Sequence, residues 1–298
     1  MQGSSMLRRR NNMGYVYILP WVIGFLVFQL YPLIMSFFYS FTDYNMGNDY
    51  SFVGFANYVR VFTKDRETLN SLMTTFRFVF MSVPMKLISA LLIALLLNQK
   101  LKAMNLYRTI YYLPSILGGS VAIAVLWRHL FEMNGVVNQL LRGLGFKGVG
   151  FLSDPNVALV TISTLSVWQF GSSMIFFLAA LKQVPQSLYE AARVDGANKV
   201  RCFFTITLPM ISSMTLFNVI MQMINAFQEY TMPAVITGGG PMKTTQVLAI
   251  TLYKNAFTYR RMGYASSISW VLFVVIIVFT ALIFRSSSLW TFYNDEES

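Results

Sequence analysis

Six stretches of the chain are apolar and long, and short polar stretches separate them. Crossing about 30 Å of hydrocarbon takes roughly 20 mainly apolar residues in a helix. Residues 14–40, 75–98, 109–131, 158–181, 208–229 and 264–285 each have that character. Backbone polar groups find no water inside a bilayer, so such segments close their own hydrogen bonds as helices. The pattern predicts an all-α transmembrane chain with a six-span domain over 14–285, a tail at 1–13 and a second tail at 286–298. No solenoid-type repeat or low-complexity stretch interrupts it.

The connections alternate in character. Arg8, Arg9 and Arg10 precede the first span, and Lys100, Lys102 and Arg108 crowd the link between the second and third. Lys182, Arg193, Lys199 and Arg201 mark the link between the fourth and fifth. The other loops are longer and carry acids beside bases: Asp43, Asp49, Asp65 and Glu67, then Asp154, then Glu229 at the edge. Basic residues concentrate on the cytoplasmic side of spans, so both termini and the loop 185–209 are expected there. The basic lead and apolar run at the start are like a signal peptide. The run is too long for one and no A-x-A site follows, so it is read as a retained first span.

Composition agrees with that topology and narrows the chemistry. The 298 residues are 55% hydrophobic and 12% charged, against about a quarter charged in soluble proteins. A net charge of +11 would suggest nucleic acid in a soluble domain, but these bases fall largely in short links between spans. Membrane lipid is therefore the expected partner and nucleic acid is not. A single cysteine, Cys202, allows no internal disulfide, and a single histidine, His129, allows no paired-histidine metal motif. The stretch GGGPMKTT has Met242 where a phosphate-binding loop needs glycine before its lysine, so it reads as a tight external loop. Glu132, Glu229 and His129 lie at or near expected external ends, which leaves no deep acid for a proton relay. No clustered Asp, Glu, His or Ser suggests acid–base catalysis.

One stretch departs from the apolar background: SLYEAARVDGANKVRCFFTITLP, Ser187 to Pro209. Ser187 with Glu190 has the spacing of a capping box, and Asp195-Gly196 offers the left-handed residue that closes a helix. A second amphipathic helix is expected from Ala197 to Thr207, with Pro209 in the first turn of the next span. The predicted object is a two-helix knuckle bent at a glycine. It could lie on lipid or plug the groove of a soluble partner.

These residues resemble a known family. EAARVDGA, with Phe203, Ile206, Leu208 and Pro209 after it, is similar to the coupling loop of binding-protein-dependent ABC importers. Further similarity lies in FVGFANYVRVF, YRTIYYLPSILGGSVAIAVLW, WQFGSSMIFFLAALKQVPQSLYEAA, ITGGGPMKTTQVLAITLY and GYASSISWVLF. Together they resemble carbohydrate-uptake permeases of the maltose and glycerol-phosphate type, the first of two sister permeases. The resemblance implies a six-helix type I importer permease in a bacterial inner membrane, with Glu190, Ala191, Ala192, Asp195, Gly196 and Ala197 meeting the ATPase. It implies a sister permease, an ABC ATPase dimer and an extracellular or periplasmic solute-binding protein as partners. The chain itself would hold no cofactor and catalyse nothing, with ATP and Mg in the ATPase subunits. The rival is a proton-coupled secondary sugar transporter.

A substrate path would show as polar residues on one face of a span. Asn218, Gln222, Asn225 and Glu229 recur at helical spacing with Gln228 beside them. They serve either a path or helix–helix bonding to the sister permease. Trp168, Gln169, Phe170 and Ser172 could supply an aromatic face and acceptors, whereas Phe37, Phe38 and Phe41 read as lipid contact and interface anchors. Arg77, Lys86 and Arg128 fall inside spans without a deep acid to neutralise them. Lys86 either pairs with the Phe80 carbonyl freed by Pro84, pairs with an acid of the sister subunit, or faces the cavity. The last case would favour an anionic carbohydrate, such as uronic-acid oligosaccharides of the alginate or pectin kind.

Overall fold

A computed structural model describes residues 17–47, 50–99 and 103–292. Arg8, Arg9, Arg10, Asp49, Lys100, Lys102, the tail at 1–13 and residues 293–298 lie outside the described residues. Three helices run unbroken with the length and apolarity of a span: α1 (Tyr17–Tyr39), α2 (Arg66–Leu97) and α13 (Met262–Ser287). Between them the order is α3 (Met104–Leu117), α4 (Val121–Phe131), α5 (Val136–Gly143), α6 (Ala158–Trp168) and α7 (Gly171–Gln183). There follow α8 (Gln186–Val194), α9 (Lys199–Met210), α10 (Ser212–Phe227), α11 (Thr231–Ile236) and α12 (Leu248–Tyr253). An isolated bridge joins Thr42 and Phe52, and no strand forms among the described residues.

The expected third, fourth and fifth spans are not straight rods. The third bends by 98° between α3 and α4, the fourth by 48° between α6 and α7, and the fifth by 68° after Met210. Each break has a local cause. Gly118-Gly119-Ser120 separates the first pair, and the Ser120 hydroxyl restarts the helix by accepting from the Ile123 N–H. Gln169-Phe170 precedes Gly171 in the second. Ile211 leaves helical geometry two residues after Pro209 in the third. Pro209 therefore closes the amphipathic rod α9 rather than opening the next span. Proline lacks an N–H and disturbs the turn before it, and widened turns occur at Leu26–Leu30 before Pro32 and at Phe203–Thr207 before Pro209. The second span also starts earlier than expected, at Arg66.

The chain divides into two compact units, one from the described residues up to 66 with 252–271, the other from 67–251 with 272 onward. In the smaller, Asn57 donates from Nδ2 to the carbonyls of Ser40 and Thr42 at 2.9 and 2.8 Å. The Tyr58 hydroxyl reaches Ser40 Oγ at 2.7 Å. Asp43 accepts from the Ser51 N–H and hydroxyl, which holds its carboxyl below the usual range. Phe37 packs edge-on against Trp270 and Phe41, and Phe38 against Tyr50. These expected lipid anchors thus also hold the loop after α1, because aromatic pairs gain from edge-to-face contact.

In the larger unit, Phe78, Ala124, Ile162, Leu165, Met232, Ile236, Val247 and Ile250 form one buried cluster. Residues of α2, α4, α6, α11 and α12 meet there. Helices α3 and α7 approach closely at Gly171, where an added Cβ would sit 2.7 Å from Ser115 Oγ and 2.8 Å from the Tyr111 carbonyl. Gly171→Val is therefore expected to overpack this contact and cost about 1–3 kcal/mol. Thermal unfolding of the purified protein in detergent measures it. An unchanged midpoint would remove the close approach as a packing constraint.

Candidate functional site

The two breaks in α3–α4 and α6–α7 bond to each other. Gln169 donates from Nε2 to the Gly118 carbonyl at 2.6 Å, and the Ser115 hydroxyl donates to the Gln169 carbonyl at 3.0 Å. Ser115 Oγ in turn accepts from the Ser172 N–H at 3.1 Å. Irregular backbone at membrane depth survives only where such partners exist or where it lines a cavity. Here both hold.

A cavity of about 460 Å³ opens beside these breaks. Its wall includes Lys86 from α2, Gln169, Gln222 and Asn225 from α10, and Gln228 and Glu229 just after it. Five residues expected on the substrate path, Lys86, Gln169, Gln222, Asn225 and Gln228, therefore meet in one place. Among the described residues, the side chains of Gln222, Asn225 and Gln228 make no hydrogen bond, and Gln169 commits only its Nε2. An amide offers two donors and an acceptor with two lone pairs. The wall thus presents uncommitted donors and acceptors together.

Asn218 does not join them. It is 1% exposed, its Nδ2 and Oδ1 have no partner among the described residues, and it is absent from the cavity wall. One face of α10 is wider than the cavity, so helical spacing alone could not separate Asn218 from Gln222. Of the fourth-span residues, Trp168 packs against the core cluster, Phe170 lies against Tyr111, and Ser172 holds Ser115. Ser115, Ser166, Gly119 and Tyr230 line the cavity unanticipated; the Gly-Gly-Ser break was the signal that could have found Gly119.

Lys86 shares its cavity wall with an acid, Glu229, and no direct ion pair joins the two among the described residues. Glu229 also accepts from the Met232 N–H at 2.9 Å, which caps α11. No bond joins Lys86 to the Phe80 carbonyl among the described residues. Arg128 has an acid too: its Nε lies 3.2 Å from Glu132 Oε1, one turn on. Arg77 is exposed.

The loop 185–209 folds as two helices. Ser187 and Glu190 do not form a capping box, because α8 begins at Gln186 after Pro185 in extended geometry, with no side chain capping it. Both lie inside the helix. Gly196, at φ +75°, closes α8: the Ala197 N–H donates to Ala192 and the Gly196 N–H to Arg193, at 2.9 and 3.1 Å. Asn198 Oδ1 accepts from the Arg201 N–H and starts α9, and Tyr189 and Thr207 join the two helices through their hydroxyls at 2.8 Å. Glu190, Ala191, Asp195 and Gly196 are exposed, with Ala192 and Ala197 half-buried. In GGGPMKTT, Met242 and Lys243 take left-handed backbone angles and Lys243 Nζ meets Glu67 at 2.6 Å.

The chain belongs to the family of inner-membrane components of binding-protein-dependent transport systems, whose model matches residues 61–290. It is 44% identical to the probable ABC transporter permease protein YesP of Bacillus subtilis (strain 168), over 100% of this chain and 97% of that one. It is 33% identical to the lactose transport system permease protein LacF of Rhizobium radiobacter, over 95% and 97%. Its fold matches a chain in the crystal structure of a bacterial alginate ABC transporter in complex with an alginate pentasaccharide-bound periplasmic protein. That match has a TM-score of 0.79 at 23% identity, over 94% of this chain and 95% of that one. The fold is that of a type I importer permease.

Removing one of two facing charges in a membrane strands the other. Lys86→Met or Glu229→Gln alone is expected to destabilise by up to about 2.5–3.5 kcal/mol, the penalty for a central charge on insertion scales. The double variant should lose less than the sum. Unfolding midpoints of the four purified forms test this, and strict additivity would show that the two charges act independently.

Proposed function

We propose that this chain forms half of the translocation path of an ATP-driven importer, and that a carbohydrate delivered by a solute-binding protein passes through the cavity at Lys86, Gln169, Gln222, Asn225 and Gln228. The uncommitted amides carry this reading. A sugar presents many hydroxyls, each a donor and an acceptor, and amides answer both needs. The names of two similar proteins, a lactose permease and an alginate transporter, support a carbohydrate cargo. Lys86 and Glu229 line this cavity together, so it offers the cargo a cation and an acid rather than a cation alone.

On this reading the chain binds a sister permease and an ABC ATPase dimer, which holds ATP and Mg; the chain itself is non-catalytic and carries no cofactor. Both termini and the α8–α9 knuckle face the cytoplasm of a bacterial cell, and the GGGPMKTT loop faces the solute-binding protein. Glu190, Ala191, Ala192, Asp195, Gly196 and Ala197 present the knuckle to the ATPase. The exposed surface of α8 supports that role. Glu229 is the acid that a proton-coupled carrier could use, but family membership gives that alternative no support.

Two measurements on the reconstituted complex test the reading. Asn225→Leu should remove about 1–1.5 kcal/mol of hydrogen bonding to a polyhydroxylated ligand, roughly a tenfold loss of uptake below saturation. Unchanged uptake of every carbohydrate tested would place the path elsewhere. Gly196→Val meets no neighbour within 4 Å, so its cost is the backbone strain of a left-handed residue, about 1–2 kcal/mol. The variant should insert and assemble, yet lose substrate-stimulated hydrolysis. Normal stimulation would remove the bend from the coupling mechanism.

A further inference from the structure

The larger unit has a second cavity, of about 350 Å³, that the translocation path above does not use. Its wall includes Arg128, Glu132, Phe151, Ser153 and Thr237. Ligand cavities run from about 300 to 1,000 Å³, so its size suits a single sugar unit. Phe151 is held in place from behind: its ring stands edge-on to Phe131 at 5.3 Å, and its carbonyl accepts from Thr161 Oγ1 at 3.0 Å. The buried Asn138 clamps the adjoining loop through both the N–H and the carbonyl of Val149. Arg128 uses its Nε on Glu132, and the rest of its guanidinium makes no hydrogen bond among the described residues. The Ser153 hydroxyl is likewise uncommitted. A fixed aromatic ring, a guanidinium with spare donors, a carboxylate and a hydroxyl together suit a pyranose, whose C–H face packs on a ring while its hydroxyls bridge charged groups.

The position of this cavity gives it a role. Met232 lines the inner cavity and Ile236 lines the second, one turn further along α11 and about 6 Å away at 1.5 Å per residue. Both side chains belong to the same buried cluster with Phe78 and Ile162. A single turn of α11 therefore separates the residue it gives to the inner cavity from the one it gives to the second, whose Arg128, Glu132, Ser153 and Thr237 sit beside the apolar Met133, Leu152 and Pro241. We propose that the second cavity is a carbohydrate-binding subsite, with Phe151 as its platform and Arg128 and Glu132 as its hydroxyl ligands, that holds a sugar unit before it passes to the inner cavity. The proposal rests on the reading of the cargo as a carbohydrate.

The test uses the assembled complex in lipid nanodiscs, with Cys202→Ser in this chain. Ser153→Cys reports on the second cavity and Gly119→Cys, whose added side chain meets no neighbour within 4 Å, reports in a separate sample on the inner one. Each is labelled with a small methanethiosulfonate reagent, the mass of this chain gives the extent, and lactose, maltotriose and trigalacturonate are titrated as probes. At about ten times the half-protecting concentration, at least one probe should slow labelling at 153 about tenfold, because labelling follows the unoccupied fraction. Phe151→Leu should abolish that protection and leave protection at 119 in place. Protection at 119 without protection at 153 overturns the second subsite and leaves the carbohydrate reading standing, whereas protection at neither position overturns both. Protection at 153 by sugar-free binding protein, with none from sugar, makes the cavity a seat for that protein and also overturns the proposal. So does protection at 153 that survives Phe151→Leu.

Discussion

The structure depends on one constraint: in a bilayer, each backbone N–H and C=O must find a partner inside the protein. Three of the expected spans break, and each break frees such groups. Two of the breaks answer one another, with Gln169 Nε2 on the Gly118 carbonyl and Ser115 Oγ on the Gln169 carbonyl. The polar side chains that repair the backbone also make one wall of the cavity. Ser115 and Gln169 thus serve both the bends and the wall, while Gln222, Asn225 and Gln228 serve the wall alone.

The second element is charge. A lysine within a span is costly unless something offsets it; Glu229 lines the same cavity from just after α10 and also accepts from the Met232 N–H at the start of α11. One carboxylate thereby links the charge state of the cavity to the start of the helix that carries Met232 and Ile236. The C-terminal end of that helix leads into the Gly-rich loop, which holds two left-handed non-glycine residues and the Lys243–Glu67 contact. Surface ion pairs of this kind contribute little stability, so the glycines and the backbone turn matter more for the loop's shape than the contact does.

Much of this was legible in the sequence because apolar length and basic links follow directly from the solvent. The six apolar segments, the all-helical class and the glycine turn at Gly196 were readable on those grounds. The bends were not, since hydropathy averages over Gly118-Gly119-Ser120 and Gln169-Phe170 without registering that they interrupt the backbone. Helical spacing brought Gln222 and Asn225 together correctly but could not exclude Asn218, whose burial depends on what α10 packs against. The capping box at Ser187 failed for a local reason: Pro185 takes the cap position two residues earlier, so the helix starts at Gln186. Hydropathy alone sets Glu229 at the edge of its span, and its place on the same cavity wall as Lys86 is a tertiary fact.

The central claim is that the amide-lined cavity carries the solute. Electron cryo-microscopy of the assembled transporter, trapped with its binding protein and a transported carbohydrate, tests it most directly. The account predicts sugar density within hydrogen-bond distance of Gln222, Asn225 and Gln228. Sugar density seated away from all three, with the cavity filled by a lipid chain or closed by side chains, would contradict it.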